Sequence, residues 1–155
     1  MRIRAALALL LAVPLLAVVA APAAAAKPRG VDRLESIAFK RINDMRTNHG
    51  LRRLRRSRSL TRSASRYAGY MAGRGYFGHL STIWAARRYR SLGEIILMHR
   101  GTHGRPRTAV RRWSGSPAHN SIMLSAKYRQ IGVGKAYGWY GGRRVTMWVA
   151  HVGLR

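Results

Sequence analysis

Apolar residues recur at three- and four-residue spacing along two early stretches of the chain. Leu34, Ile37, Ala38, Ile42 and Met45 form one buried stripe, the pattern of an amphipathic helix. Asp32 sits where an N-cap belongs, with Glu35 three positions on as a weak capping box, and Gly50 supplies the stop. After a basic loop whose Leu51 and Leu54 turn inward, Ser59 opens a second helix. Its inner face carries Leu60, Ala64, Tyr67, Ala68 and Met71, and Gly73 and Gly75 end it. The stretch from Leu80 to Leu92 reads as loop with some helix. Glu94 to Met98 is too short and too uniformly apolar for its period to be read, so strand and helix start both remain open. Thr108 to Trp113 is a short helix that ends before Pro117, because the residue before proline avoids the helical region. Residues Ile131 to Tyr137 and Val145 to Val152 then alternate with period two, and Gly138 to Gly142 reads as the turn between them. Helices followed by a terminal hairpin predict an α+β layered domain.

The start of the chain has a different character. Arg2 and Arg4 precede an apolar run from Ala5 to Ala20, and Ala24 to Ala26 is a small-residue cleavage site. This is the layout of a secretory signal peptide, residues 1–26, with a linker at 27–32 and one domain over 33–155. The expected location is secreted, outside the cell. There is no cysteine, so stability after export rests on a packed core rather than disulfides.

Charge changes the picture more than any motif. Lysine and arginine number 30 against four acids, a formal net charge of +26. The acids are Asp32, Glu35, Asp44 and Glu94. Such a surface favours polyanions: anionic cell-envelope polymers such as teichoic acids, anionic lipid, and nucleic acid through nonspecific charge alone. Basic residues are spread along the chain with no aromatic platform between them, which disfavours dedicated nucleic-acid recognition. No Walker loop, dinucleotide fingerprint or paired-cysteine metal motif is present.

Five ordered blocks resemble a known family. Asn43, Arg46, Gly50 and Leu51 are in step with an opening N-x-x-R-x-x-x-G-L helix, and residues 71–79 are similar to M-A-x-R-G-Y-F-x-H. Gly93-Glu94 matches the start of G-E-N-I-A, residues 113–124 resemble W-x-x-S-P-G-H-R-x-x-I-L, and residues 131–134 match I-G-V-G. The family is the CAP superfamily of cysteine-rich secretory, antigen 5 and pathogenesis-related proteins, in its bacterial, cysteine-poor form. The resemblance implies a three-layer α-β-α sandwich of the CAP/SCP type with a central cleft, and the apolar faces, enough for one core, predict a domain that folds alone as a monomer. The resemblance places His79, Glu94 and His119 in that cleft, as binding residues and as ligands for a weakly held divalent metal. Two imidazoles and a carboxylate favour zinc over magnesium. Ser116 stands where some relatives carry a second glutamate, Ile95 replaces the asparagine of G-E-N, and His49, His99, His103 and His151 match no cleft position.

Fold alone does not fix activity. The expected function is a noncatalytic binding module holding an anionic envelope polymer or a lipid ligand. Two alternatives stand beside it: a hydrolase using Ser116 and His119 with Glu94 as orienting group, and a cationic membrane- or polyanion-binding protein.

Overall fold

The structure, a computed structural model, describes residues 32–155. The expected signal peptide and residues 27–31 of the expected linker lie outside the described residues. The elements run α1 (Arg33–Asn48), β1 (Arg55–Arg56), α2 (Arg58–Arg74), a 3₁₀ turn (Ala86–Arg88), β2 (Ser91–Arg100), α3 (Pro106–Ser114), α4 (Pro117–Met123), β3 (Gln130–Tyr140) and β4 (Arg143–Leu154). The sheet order is β1-β3-β4-β2, with β1 parallel to β3 and the other pairs antiparallel.

Local chemistry accounts for most boundaries. The Asp32 carboxylate caps α1 by accepting from the Leu34 N–H at 2.7 Å. Ser57, rather than Ser59, caps α2 by accepting from the Leu60 N–H, and Gly75 ends that helix in the left-handed region at φ 58°. Gly73 stays inside the helix. Glu94 to Met98 belongs to a strand ten residues long. The hairpin turn is tighter than expected: β3 continues to Tyr140, leaving Gly141 and Gly142, both at positive φ. Helix α4 was not expected, because Ser116-Pro117 reads as a stop. Pro117 instead occupies the first turn of a new helix, where a missing N–H is no loss.

Alternation along β4 divides the core into two layers. Trp148, Ala150 and Val152 face α1, α3 and α4, together with Ile95, Ile131, Val133 and the fully buried Trp113. Val145, Met147 and Val149 face α2 on the other side, with Ile96 and the α2 residues Ala64, Tyr67, Ala68 and Met71. The chain is thus the α+β layered domain that the sequence pattern predicts, arranged as the three-layer α-β-α sandwich that the family resemblance implies. The Trp113 indole N–H donates to the Ile96 carbonyl at 3.1 Å and ties α3 to β2.

The I-G-V-G stretch shows why the α2 layer lies so close to the sheet. A Cβ on Gly132 would overlap the backbone of Leu60 and Thr61, and one on Gly134 would overlap that of Ala64 and Ser65. Helix α2 therefore rests on strand β3 backbone against backbone. Gly134→Ala should lower stability by roughly 1–3 kcal/mol or more, as overpacking against rigid backbone does. A thermal unfolding midpoint equal to that of the unmodified protein would refute this close approach.

Candidate functional site

Glu94 on β2 lies directly opposite His151 on β4 in the antiparallel register. Both side chains share the α2 face of the sheet with Ile96 and Val149. The carboxylate is almost wholly buried, its side chain 6% exposed, and it accepts three hydrogen bonds. Oε2 takes one from His151 Nε2 at 2.8 Å; Oε1 takes one from His79 Nδ1 at 2.8 Å and one from the Leu80 N–H at 3.0 Å. An ionised carboxylate only accepts, so each contacting imidazole nitrogen carries the proton. Burial alone would raise the Glu94 pKa. The bonds from His151, the Leu80 amide and His79 overcome it and hold the carboxyl below its usual value of 4.5.

His79 follows α2 on an irregular segment and stands at the mouth, with 57% of its side chain exposed. The segment is held there by Tyr67, whose hydroxyl donates to the Gly78 carbonyl. A surface cleft of ≈ 390 Å³ opens beside the pair, lined by His79, Leu80, Ser81, Ile83, Leu92 and Glu94.

His119 is half-buried in the first turn of α4, three residues after Ser116. Burial and the nearby charge of His79 both disfavour its protonation and lower its pKa from 6.5. His79 and Glu94 are in direct contact; His119 contributes none of the three bonds to Glu94. Ser116 is the N-cap residue of α4, and its side chain makes no cap hydrogen bond. The far end of α4 is pinned by Arg46, which is fully buried. Its guanidinium donates to the carbonyls of Met123 at 2.6 Å, Ser125 at 3.0 Å and Arg52 at 3.0 Å. Asn43 completes the anchor, exchanging two hydrogen bonds with the Leu54 backbone.

The residue missed from the sequence is His151. It matches no cleft position in the family pattern, yet it is 0% exposed and bonded to Glu94. The signal was its place in β4, two residues beyond Val149 on the inward parity. The other unassigned histidines stay outside the site. His49 and His103 are exposed, and His99 is a core side chain facing the Trp148 indole.

Zinc was expected on His79, Glu94 and His119. Among the described residues no three His, Cys, Asp or Glu side chains are gathered as a metal ion requires. Both Glu94 oxygens are taken up by hydrogen bonds. As they stand these donors do not fit a three-ligand centre, and no step below is routed through a metal.

The sequence model of CAP, the cysteine-rich secretory protein family, matches residues 39–152. The chain belongs to the CAP family. Its fold is similar to that of an outer surface protein from Borrelia burgdorferi, at TM-score 0.65 and 18% identity over 81% of this chain and 96% of that one. It is also similar to an extracellular protein containing an SCP domain from Bacillus anthracis, at TM-score 0.64 and 19% identity. That match covers 79% of this chain but 40% of the Bacillus protein. Venom allergen-like protein 4 of Schistosoma mansoni is a third relative in fold, at TM-score 0.59 and 13% identity over 80% and 90% of the two chains. No curated protein matched the chain.

For this CAP domain the Glu94 network sets an acid limit. A carboxyl whose pKa is depressed on folding contributes stability above its unfolded pKa of about 4.5, and that stability is lost as pH falls through the lower folded value. Glu35 works in the opposite sense, since burial raises its pKa; its contribution is present at low pH and lost as pH rises. Glu94→Gln replaces one acceptor oxygen by a donor. It should cost about 1–3 kcal/mol at neutral pH and reduce the loss of stability between about pH 5 and about pH 2. Unfolding curves at the two pH values check this; an unchanged pH dependence in the variant would show that Glu94 is not the acid-sensitive group.

Proposed function

We propose that the chain is an exported, noncatalytic CAP domain that binds an anionic polymer of the cell envelope through its cationic surface. One observation carries the reading: every carboxylate side chain in the sequence is engaged within the fold. Asp32 caps α1 and pairs with Lys135 at 3.1 Å. Glu35 accepts from the Lys135 N–H at 3.1 Å. Asp44 pairs with Lys40 at 2.8 Å and Arg53 at 3.6 Å, and Glu94 is enclosed by histidines. Among the described residues, Lys40, Arg53 and Lys135 are the lysines and arginines that meet a carboxylate side chain. Apart from the buried Arg46, the other described arginines are exposed or half-exposed and meet no carboxylate side chain.

Export is supported by the leader pattern of residues 1–26 and by the outer-surface and extracellular descriptions of two bacterial neighbours. The noncatalytic reading is supported by the state of Glu94. A buried carboxylate holding three hydrogen bonds and a low pKa is a structural acceptor rather than a free general acid.

Adsorption of the purified protein to isolated bacterial envelopes and to immobilised heparin, over a salt series, tests the function. Retention should fall steeply as salt rises, with a slope of log affinity against log salt near −0.7 for each anionic group neutralised on a flexible polyanion. Absence of retention at low salt, or retention insensitive to salt, would overturn it.

A further inference from the structure

The positive charge is not evenly laid out. A groove of ≈ 690 Å³ runs along the N-terminal half of α2, and no carboxylate side chain lines it. Arg58, Arg62 and Arg66 line it from α2; the other arginines at it are Arg55 and Arg56 on β1, Arg88 in the 3₁₀ turn and Arg155 after β4. The three α2 arginines repeat every fourth residue, so they stack on one helix face with a rise of roughly 6 Å between neighbours. Like charges at that spacing destabilise a helix. Cations in its first turn also oppose the helix dipole, and α2 has no acid in its first turn to offset them. The row is an unfavourable arrangement that a row of anions would relieve.

A second observation points to a ligand. Ser63 also lines the groove; it is buried, and its hydroxyl has no hydrogen-bond partner. Ser57, Ser59 and Gln130 line the groove too, and the Tyr89 hydroxyl meets them at 2.7, 2.8 and 3.0 Å.

Trp84 narrows the choice of occupant. It is exposed at the groove, but Arg66 lies over its ring at 4.9 Å. Tyr67 and Tyr70 contact it edge-on at 5.7 and 6.2 Å. The Arg66 guanidinium and the two tyrosines already occupy part of the indole surface, which makes it a poorer platform for the stacked bases of single-stranded nucleic acids. What remains is a row of planar guanidinium forks matched to phosphate oxygens.

We infer that this groove is a binding site for a linear phosphodiester polymer without aromatic units, a polyol phosphate, held by the arginine row of α2. The inference rests on the polyanion-binding reading above and assigns it a site.

The test compares two triple variants with equal charge removed. One carries Arg58→Gln, Arg62→Gln and Arg66→Gln in the groove; the other carries Arg107→Gln, Arg111→Gln and Arg112→Gln on α3, across the sheet. All six side chains are exposed, and melting curves confirm that both variants fold. Poly(glycerol phosphate), single-stranded DNA of matched phosphate number and phosphatidylglycerol vesicles are the probes, measured by titration over a salt series. The groove variant should lose about tenfold or more in affinity for poly(glycerol phosphate), with the salt slope reduced by about 2. The α3 variant should lose less than about threefold. Equal losses in the two variants would overturn the site while leaving the polyanion reading intact. Tighter, groove-dependent binding of DNA or vesicles would overturn the choice of polymer. Failure of the unmodified protein to bind any of the three at low salt would instead overturn the polyanion reading itself.

Discussion

Four carboxylates have to serve thirty lysines and arginines, and the rest of the molecule is arranged around that shortage. None of the four is spent on a surface ion pair alone except Asp44. Asp32 starts α1 and reaches Lys135 on β3. Glu35 also reaches the β3 backbone. Glu94 joins β2, β4 and the segment after α2. Lys135, its side chain 8% exposed, keeps Asp32, but the most deeply buried cation uses other acceptors. Arg46 is fully enclosed and bonds to three backbone carbonyls, two of them at the end of α4, where the helix dipole is negative. Elsewhere aromatic faces stand in for carboxylates: Arg56 lies over Phe39 at 4.4 Å, Arg66 over Trp84 and Arg155 over Tyr89 at 5.4 Å.

Which parts of the fold were legible in the chain depends on how far away the deciding contact lies. Where a local rule needs only one element, sequence and structure agree: the Asp32 cap, the left-handed Gly75, and the alternation of β4 that sorts two core layers. Where the deciding contact is distant, they part. Helix α4 lay hidden because Ser116-Pro117 both ends one helix and begins the next, and Arg46, seventy-seven residues away, holds its other end. Strand β1 is two residues long and exists through parallel pairing with β3. Length and periodicity could not have shown it.

The site divides in the same way. His79 and Glu94 were placed together by motif matching, and they meet. His151 was not, because the family pattern assigns it no role. Its parity along β4 put it on the buried α2 face, and a buried imidazole needs a partner. In a chain with one carboxylate side chain after Asp44, that partner could be read as Glu94. With His151 in place, both Glu94 oxygens already accept hydrogen bonds.

One segment connects the two polar regions on the α2 side. Residues 79–90 leave α2, pass the Glu94 cleft and run along the arginine groove. Their beginning is tied down by the bonds from His79 and the Leu80 N–H to Glu94. Their end is tied down by the Tyr89 hydroxyl against Ser57, Ser59 and Gln130. Trp84 and Arg88, which line the groove, lie between these ties. The carboxylate that organises the cleft therefore also fixes one end of the groove wall. Protonating Glu94 weakens its hold on His79 and the Leu80 amide, which begin the segment that carries Trp84 and Arg88. Cleft and groove are separate in chemistry and share one tether.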